Sequence, residues 1–409
     1  MEKIKEILDK QVSKIKPDKE ELIFIEEQTK KFLDELNEKI KKKKIVAEVF
    51  VGGSIAKGTL IKKKKYDVDI FVRFDKKYED KEISDILEKL VKGKRIHGSR
   101  DYFQVENTLL FEVVPTIKIN KPGEARNVTD LSYFHVNYIK GKIKDKKKLA
   151  EEIMLGKAFC YANRCYGAES YIKGFSGYAL ELLVSYYGSF IKFLKAVKDK
   201  ERIILDPAKH YKNKDEILLE LNESKLNSPI VFVDPTFKYR NALAALSNQT
   251  FLRFKKAGSG FLKNPSESFF EKQNIENKLK KHKLTIIKSS TNRQKGDIGG
   301  SKLRKFHNYL TYRLKKDFEI KISEFEYDEE ANSARNYFVL QQKKEIIIEG
   351  PPITHVENLT KFKKKHKNCF IRKGKAYCKQ KSKNINEFIS ELKKDKILKE
   401  MDVIKIELL

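Results

Sequence analysis

The pattern of apolar and polar residues predicts two strands on either side of a glycine-rich turn early in the chain. Residues 45–50 form a β-branched and aromatic run, which is typical of a buried strand. Residues 66–74 alternate, so that apolar side chains fall on one face while Asp67 and Asp69 share the other. Between these strands, Gly52-Gly53-Ser54 allows a tight turn that brings backbone N–H groups close to an anion.

Helical spacing of apolar residues predicts helices in several other stretches. Residues 1–44 contain two such patterns, separated at Pro17-Asp18, and residues 81–92 have the pattern of a surface helix. Ser176 is placed to cap another helix, in which one apolar stripe runs through residues 180–194. The breadth of that stripe predicts a core helix, so its aromatic residues are assigned to packing.

The C-terminal third has the element order β-α-β-β-α-β, which is that of the ferredoxin-like unit often used to hold RNA. The predicted elements are a strand at 284–288, a helix at 302–314, strands at 319–326 and 336–342, a helix at 385–392 and a strand at 403–408. Residues 344–383 interrupt this order and are rich in lysine. A composition change after residue 257 and the Pro265-Ser266 pair indicate where the C-terminal part begins.

Charge and composition indicate the class of partner. The chain has 409 residues, enough for two to four domains, and its Lys+Arg 88 against Asp+Glu 58 give a formal net charge of +30. So large an excess indicates a polyanion, above all nucleic acid. Lysine richness also arises in AT-rich genomes and on thermophile surfaces. No stretch approaches the roughly 18 apolar residues of a membrane span, and the N-terminus lacks an apolar signal core.

The cysteines predict a reducing, cytoplasmic location. There are only four of them, none in a CxxC pair: Cys160, Cys165, Cys369 and Cys378. A zinc site built from His366, Cys369 and Cys378 is conceivable from the residue types. Ordinary loop or core cysteines are the favoured interpretation.

Two acidic side chains on one strand face point to catalysis. Asp67 and Asp69 repel each other and lose solvation, so folding alone would not select them. A divalent cation removes that conflict, and oxygen ligands beside a phosphate-binding turn are what Mg²⁺-assisted nucleotidyl transfer requires. The alternative is an edge strand with a solvated acidic face, which the order of turn and acid pair disfavours.

Gly53-Ser54 followed thirteen residues later by Asp67-x-Asp69 resembles the signature of the polymerase-beta-type nucleotidyltransferase superfamily. That superfamily also holds poly(A) polymerases, oligoadenylate synthetases and aminoglycoside nucleotidyltransferases. It places a third metal-binding carboxylate on a nearby strand. Glu112 matches, because a lone carboxylate in the apolar run 109–115 is out of place without a cation. The resemblance therefore implies two Mg²⁺ ions at three catalytic carboxylates, although relatives usually have Asp at the third position.

Further blocks narrow the resemblance to archaeal-type (class I) CCA-adding enzymes, which rebuild the 3′ end of tRNA from CTP and ATP. These blocks are DLSYFH at 130–135, GK at 156–157, YGAE at 166–169, GFSGY at 174–178, VDP at 233–235 and Arg240-Asn241-Ala242. They keep order and spacing across residues 50–250, and weaker similarity runs to about residue 380. The EDxxR motif of the class II enzymes is absent from the sequence.

The resemblance assigns nucleotide-binding roles to several residues. Gly53, Ser54 and Lys57 match the phosphate-binding turn, where relatives commonly have Arg at the last position. The positions that match the triphosphate-holding residues are His135, Lys157 and Tyr166. Arg240 matches the arginine that reads the incoming base together with the RNA backbone. Without the resemblance, His135 would be interpreted as a core histidine, Lys157 as a snorkelling lysine and Arg240 as a surface arginine.

The implied architecture is α+β and multidomain. A nucleotidyltransferase catalytic head with a mixed sheet is expected at 1–140, and a helical neck or central domain at 141–256. A ferredoxin-like RNA-binding body is expected at 257–343 and 384–409, with an inserted basic tail at 344–383. The tail's candidate RNA-binding residues are Lys361, Lys363, Lys364, Lys365, Lys367 and Arg372. They are expected to rest on a tRNA helix by charge and stacking; the alternative is a solvated basic loop.

Three other functions share some of these sequence features. A poly(A)-type polymerase would share the head, but the blocks between 130 and 247 argue against it. A small-molecule nucleotidyltransferase would need neither the +30 charge nor a ferredoxin-like body. An inactive RNA-binding relative is disfavoured because all three carboxylates are present. The sequence leaves open whether all of CCA is added, and whether the protein forms a homodimer as relatives often do.

Overall fold

The computed structural model describes residues 2–146 and 148–409. The chain divides into two compact units, the first made of Met1–Ala168 and Ile172–Lys272, the second of Glu169–Tyr171 and Gln273–Leu409. Both combine helices and sheets, so the chain is a mixed α+β protein, as the sequence predicts. The boundary between the two units follows Lys272, which is later in the chain than the composition change after residue 257 suggested.

The first unit begins with two helices and a five-stranded mixed sheet. The elements are α1 (Glu2–Ile15), α2 (Lys19–Lys42), β1 (Ala47–Val51), α3 (Gly53–Lys57), β2 (Asp67–Phe74), α4 (Asp80–Glu88), β3 (Lys94–Ile96), β4 (Tyr102–Glu106) and β5 (Leu110–Ile117). The sheet order is β1-β2-β5-β4-β3, in which β2 and β5 are parallel and the other pairs antiparallel. The one parallel pair therefore joins the central strand, β5, to its neighbour β2.

Alternation along β2 places the sheet between a core and a solvent-facing cleft. Val68, Ile70 and Val72 are fully buried and pack in one core with residues of α2 and α4. Asp67 and Asp69 occupy the opposite face. The first part of β2 follows the predicted alternation, whereas its last three residues, Val72, Arg73 and Phe74, are all buried.

The glycine-rich turn is a short helix that closes tightly on β2. Gly53 adopts φ +58°, and a Cβ built there would lie 1.7 Å from Asp69 Oδ2. A Cβ at Gly52 would lie 2.2 Å from the Phe71 ring. Both positions therefore require glycine: the first for conformation and space, the second for space.

Helices form most of the rest of the first unit. They are α5 (Ser132–Lys144), α6 (Leu149–Ala162), α7 (Gly177–Tyr187), α8 (Phe190–Val197), α9 (Lys214–Glu220), α10 (Glu223–Leu226) and α11 (Asn248–Lys263). A small sheet of order β6-β7-β8 contains β6 (Ile203–Leu205), β7 (Ile230–Asp234) and β8 (Phe237–Asn241). Short 3-10 helices occupy Pro122–Glu124, Val128–Leu131 and Glu267–Phe270. α1 packs in the same aromatic core as α6, α7, α8 and α11.

The single core helix predicted through residues 180–194 is wrong, because two helices occupy this stretch. α7 ends where Gly188 takes the left-handed conformation at φ +83°. Ser189 then caps α8, its side chain accepting a hydrogen bond from the Lys192 N–H. The apolar stripe continues across the break because both helices face the same core, so periodicity alone did not reveal it.

The second unit contains a four-stranded antiparallel sheet and a smaller three-stranded one. Its elements are α12 (Ile275–Leu279), β9 (Leu284–Ser290), α13 (Asp297–Asp317), β10 (Phe318–Asp328), β11 (Ser333–Gln342), β12 (Glu345–Pro352), α14 (Val356–Lys365), β13 (Cys369–Arg372), β14 (Lys375–Lys381), α15 (Ile385–Leu392), α16 (Ile397–Glu400) and β15 (Lys405–Leu408). The orders are β10-β11-β9-β15 and β12-β14-β13. In the larger sheet every neighbouring pair is antiparallel.

Cys369 and Cys378 form a disulfide, which the sequence analysis did not expect. The register of β13 and β14 places the two residues directly opposite each other. Their sulfurs therefore meet one another rather than a zinc ion. Cys160 and Cys165 are buried and free, as expected for core cysteines. Within residues 2–146 and 148–409, no helix combines the length and apolar character needed to cross a membrane.

A buried histidine lies in the core of the second unit. His307, on α13, has its Nδ1 3.0 Å from Asn336 Oδ1, and its Nε2 lies 3.0 Å from Ser323 Oγ. Asn336 in turn donates to the Ile287 carbonyl at 2.7 Å. Burial, assisted by Arg304, lowers the pKa of His307 from 6.5 to about 4. The folded protein thus holds this imidazole neutral.

We predict that His307 makes stability fall with acid. Its pKa is lower folded than unfolded, so its contribution is complete above pH 6.5 and is lost as pH falls from 6.5 towards 4. The loss should reach about 3 kcal/mol. Urea unfolding of wild type and His307→Gln, followed by circular dichroism because the chain has no Trp, measures it. The difference in unfolding free energy between wild type and His307→Gln should shrink by this amount as the pH falls from 6.5 towards 4. Exposed His97→Gln is the control, and an unchanged difference for His307→Gln would contradict the prediction.

Candidate active site

The three predicted carboxylates share one face of the parallel strand pair. β2 and β5 pair in a register that sets Asp69 opposite Glu112 and Asp67 opposite Leu110. Neighbours in register point to the same side of a sheet, so Glu112 lies beside Asp69. Removal from water, together with the charges of Glu112 and Asp67, raises the pKa of Asp69 to about 7. The strand geometry thus concentrates negative charge at one place.

These residues fit a divalent cation by their chemistry. Carboxylate oxygens are the ligands that Mg²⁺ prefers. A bound cation would offset both the burial of Asp69 and its repulsion by Glu112 and Asp67, which together raise the Asp69 pKa. Asp67 Oδ1 now accepts from Lys63 Nζ at 2.6 Å, and Glu112 Oε1 from Gln104 Nε2 at 3.0 Å. In the part of the chain that the structure describes, no three acidic, His or Cys side chains are already grouped as a metal site. The ligands would therefore exchange these partners for the ion.

A cleft of about 250 Å³ adjoins the carboxylates. Seven predicted site residues line it: Gly53, Ser54, Lys57, Asp67, Asp69, Lys157 and Tyr166. Tyr166 stacks on Tyr161, with ring centroids 3.9 Å apart. The cleft brings together residues more than one hundred positions apart in sequence. Glu112, His135 and Arg240 do not line it.

Glu181 is a site residue that the sequence analysis did not single out. Its Oε2 lies 2.6 Å from Lys57 Nζ and its Oε1 lies 2.9 Å from Lys157 Nζ. Thr59 Oγ1 also donates to Oε1, at 3.0 Å. Burial alone would raise the pKa of Glu181, but the two lysines lower it to about 2. One fully buried carboxylate therefore holds both predicted phosphate-binding lysines in place.

The sequence did carry a signal for Glu181. It is the one acidic residue of α7, whose sequence is GYALELLVSYY. A lone carboxylate in a helix that is otherwise apolar needs a buried cationic partner. The same argument selected Glu112 on its strand.

We predict that Glu181→Gln destabilises the protein. The change leaves Lys57 and Lys157 buried without a counter-charge, and removing one partner of a buried ion pair costs about 3–5 kcal/mol. Urea unfolding monitored by circular dichroism measures the loss. The control is Glu106→Gln, which removes the exposed Lys65–Glu106 pair and should have little effect on stability because solvent screens that pair. Equal losses in the two variants would contradict the prediction.

Asp234 connects two other predicted residues, His135 and Arg240. Its Oδ2 lies 2.5 Å from Arg240 Nη1 and 3.1 Å from His135 Nε2, the latter without the geometry of a hydrogen bond. Its Oδ1 accepts from the Tyr178 hydroxyl at 3.1 Å. Burial alone would raise the pKa of Asp234, but His135 and Arg240 hold it below its ordinary value. Burial also lowers the pKa of His135.

Arg240 faces a second cavity, of about 470 Å³. The walls of this cavity include Arg126, Phe237, Tyr239 and Arg240. The guanidinium also lies over the Tyr178 ring, 5.6 Å from its centroid. Tyr178 lines the carboxylate cleft as well, so this ring lies between Arg240 and the cleft.

The six predicted RNA-binding residues lie in the second unit and are all exposed. Four of them are on α14. Phe362 of the same helix packs against β12, where a Cβ at Gly350 would lie 2.4 Å from its ring. On the adjoining sheet Phe370 stacks on Tyr377, with centroids 5.8 Å apart. Of these aromatic residues, Phe362 therefore packs within the second unit, whereas Phe370 is exposed and stacks on the half-buried Tyr377.

The fold and the cleft define the protein's class as a nucleotidyltransferase. Residues 29–130 match the nucleotidyltransferase domain family, and residues 151–271 match the second domain of tRNA nucleotidyltransferase. Two solved structures share the fold, each at 15% sequence identity. The first is a cytoplasmic RNA terminal U-transferase; the match covers 67% of this chain and all of that chain, with a TM-score of 0.51. The second is the Cid1 poly(U) polymerase; the match covers 66% of this chain and 98% of that chain, with a TM-score of 0.52.

Curated relatives identify the family. A CCA-adding enzyme of Nanoarchaeum equitans is 36% identical over 363 residues, which are 86% of this chain and 88% of the relative. Another, from Methanocaldococcus jannaschii, is 30% identical over 397 residues, 91% of this chain and 87% of the relative. The chain belongs to the archaeal-type CCA-adding enzymes, a family of tRNA nucleotidyltransferases.

Proposed function

We propose that this protein adds C, C and A to the 3′ end of tRNA, without a nucleic-acid template, using CTP, ATP and two Mg²⁺ ions. The observation that carries the proposal is the alignment of three carboxylates on one face of β2 and β5, beside a cleft lined by Lys57 and Lys157. The relatives named CCA-adding enzymes support the tRNA substrate. The Cid1 structure with Mg and 3′-dATP bound supports the metal and the nucleotide class.

In this proposal Asp67, Asp69 and Glu112 would hold the two metal ions. Metal bound there would supply acidification of the tRNA 3′-hydroxyl and charge neutralisation for the departing pyrophosphate. Lys57 and Lys157, which Glu181 fixes in place, would meet the triphosphate in the same cleft. Two lysines and one glutamate leave a net positive charge there, which favours a polyphosphate over a neutral ligand.

The remaining predicted nucleotide ligands would complete the triphosphate and base sites. Gly53 and Ser54 offer backbone and hydroxyl donors at the floor of the cleft, and Tyr166 adds an aromatic wall. We also assign His135 to the triphosphate site, although its observed contact is with Asp234 and it does not line the cleft. Arg240 would select the base, because shape alone gives only about 1–3 kcal/mol of discrimination.

We propose the head, neck, body and tail architecture for the two units. The mixed sheet would be the head, and the helices that share one aromatic core would be the neck. The order β10-β11-β9-β15 supports a ferredoxin-like body, and the β12-β14-β13 sheet with α14 supports an inserted tail. We also propose a cytoplasmic location. A homodimer remains a hypothesis that sedimentation of the full chain would test.

We predict that Asp69→Ala abolishes nucleotide transfer while tRNA affinity stays close to wild type. The reason is that RNA is held by many cationic side chains rather than by the metal ligands. Gel analysis of tRNA ending at its discriminator base, incubated with each labelled nucleotide, measures transfer, and filter binding measures affinity. Glu106→Ala, which removes an exposed carboxylate of β4, is the control. Full CCA synthesis by Asp69→Ala would refute the assignment of the metal site.

We predict that replacing Lys361, Lys363, Lys364, Lys365 and Lys367 with Gln weakens tRNA binding and flattens its salt dependence. Each lost phosphate contact should lower the log–log slope by about 0.7 to 0.9. Binding isotherms at several salt concentrations give the slope, and kcat at saturating tRNA should change little.

The matched control for the tail neutralises five exposed lysines of α2. These are Lys30, Lys31, Lys39, Lys41 and Lys42. It lowers the net charge equally but leaves the tail intact. If both variants lose the same slope, the tail contributes only general charge. A tail variant that binds like wild type would show a solvated loop.

We predict that Arg240→Ala loses C and A addition severely and that its residual activity uses UTP or GTP relatively more often. Guanidinium donors suit the N3 and O2 acceptors of cytosine and the N1 acceptor of adenine, whereas uracil N3 and guanine N1 carry protons. The measurement is kcat/KM for all four nucleotides on tRNA lacking CCA and on tRNA ending in CC. Arg126→Ala, on another wall of the same cavity, is the comparison. An equal fall for every nucleotide would show that Arg240 does not read the base.

A further inference from the structure

Asp234 lies at the end of β7, and its carboxylate has two distinct sides. One oxygen, Oδ1, accepts from the Thr236 N–H at 2.9 Å, from Thr236 Oγ1 at 2.7 Å and from the Tyr178 hydroxyl at 3.1 Å. The other oxygen, Oδ2, faces Arg240 and His135. The first side closes a local turn, whereas the second reaches two predicted nucleotide-binding residues. The residue is completely buried, so its charge is directed at these groups rather than at water.

The contacts restrict Arg240 to one orientation. Its Nη1 donates to Asp234 Oδ2 at 2.5 Å, and its central carbon Cζ lies over the Tyr178 ring, 5.6 Å from the ring centroid. A guanidinium with one nitrogen held by a carboxylate and an aromatic ring beneath it has little freedom to rotate. Its side chain keeps 25% of its exposure, and it lines the cavity of about 470 Å³. Its remaining N–H donors are thus presented from a fixed position.

A fixed orientation matters because an arginine discriminates by geometry. A freely rotating guanidinium can reach hydrogen-bond acceptors on any base, whether they are carbonyl oxygens or ring nitrogens. A held one offers donors at set points, and a base without acceptors at those points leaves buried groups unpaired. Selection between bases therefore depends on whatever holds the arginine as well as on the arginine itself.

We propose that Asp234 is a specificity-determining positioning residue, which orients Arg240 so that the enzyme prefers CTP and ATP over UTP and GTP. This inference rests on the base-reading role proposed for Arg240. Asp234 itself does not touch the nucleotide. It acts through its Oδ2 contact, while the Oδ1 contacts serve the local turn.

The two sides of the carboxylate can be tested separately. Asp234→Asn removes the charge that holds Arg240, and Thr236→Val removes only the hydroxyl contact to Oδ1. Steady-state kcat/KM is measured for all four nucleotides on tRNA lacking CCA and on tRNA ending in CC. We expect Asp234→Asn to lose at least about tenfold of the preference for CTP over UTP. Thr236→Val should keep that preference.

A double-mutant cycle shows whether Asp234 acts through Arg240. Once Arg240 is alanine, Asp234→Asn should cause no further loss of preference. An additional loss in that background would overturn the proposal, as would an equal fall for all four nucleotides in Asp234→Asn alone. If Arg240→Ala itself leaves the preference intact, the base-reading role of Arg240 has failed. If instead Arg240→Ala loses the preference for CTP over UTP but Asp234→Asn retains it, only the inference about Asp234 is contradicted.

A folding defect would not leave the proposal untested. Circular dichroism melting establishes whether each variant is folded before its kinetics are measured. If Asp234→Asn does not fold, Asp234→Glu keeps the charge but moves the carboxylate by one methylene. This variant should also lose preference for CTP over UTP, whereas wild-type preference in it would overturn the proposal.

Discussion

Electrostatic balance in a confined space governs the candidate active site. Asp69 and Glu112 are neighbours across parallel strands, and the pKa of Asp69 rises to about 7 because of burial and nearby negative charge. In the same cleft, Glu181 offsets Lys57 and Lys157. The cleft therefore combines acidic and basic side chains. A metal ion bound by the carboxylates and a polyphosphate bound by the lysines would use both sets, which is why the cleft suits a nucleotide with its cation.

The scaffold makes this arrangement by combining elements of different kinds. The strands fix the carboxylates by register, and the helices α6 and α7 supply Lys157 and Glu181. Gly53 lets the turn approach Asp69 within a distance that no Cβ could tolerate. Since the buried Lys57–Glu181 pair joins the turn to α7, the ion pair is also part of the packing.

The second charged centre, around Asp234, repeats the same principle. A buried carboxylate with one oxygen on a turn and the other on a cation is a rigid support. It places Arg240 beside a cavity that is separate from the carboxylate cleft, with Tyr178 between them. Two separate buried carboxylates therefore organise the charged side chains: Asp234 contacts Arg240 and His135, and Glu181 contacts Lys57 and Lys157.

The sequence by itself determined the local structure and the kinds of residue involved. Alternation fixed the faces of β2, and lone carboxylates in apolar runs identified Glu112 and, with hindsight, Glu181. Tertiary structure alone decided which side chains meet: Lys57 with Glu181 and Arg240 with Asp234 as ion pairs, and Cys369 with Cys378 as a disulfide. It also decided that Gly188 ends α7, because one apolar stripe can belong to one helix or two. Periodicity reports which side of an element is buried, whereas ion pairs depend on distances between elements that only packing sets.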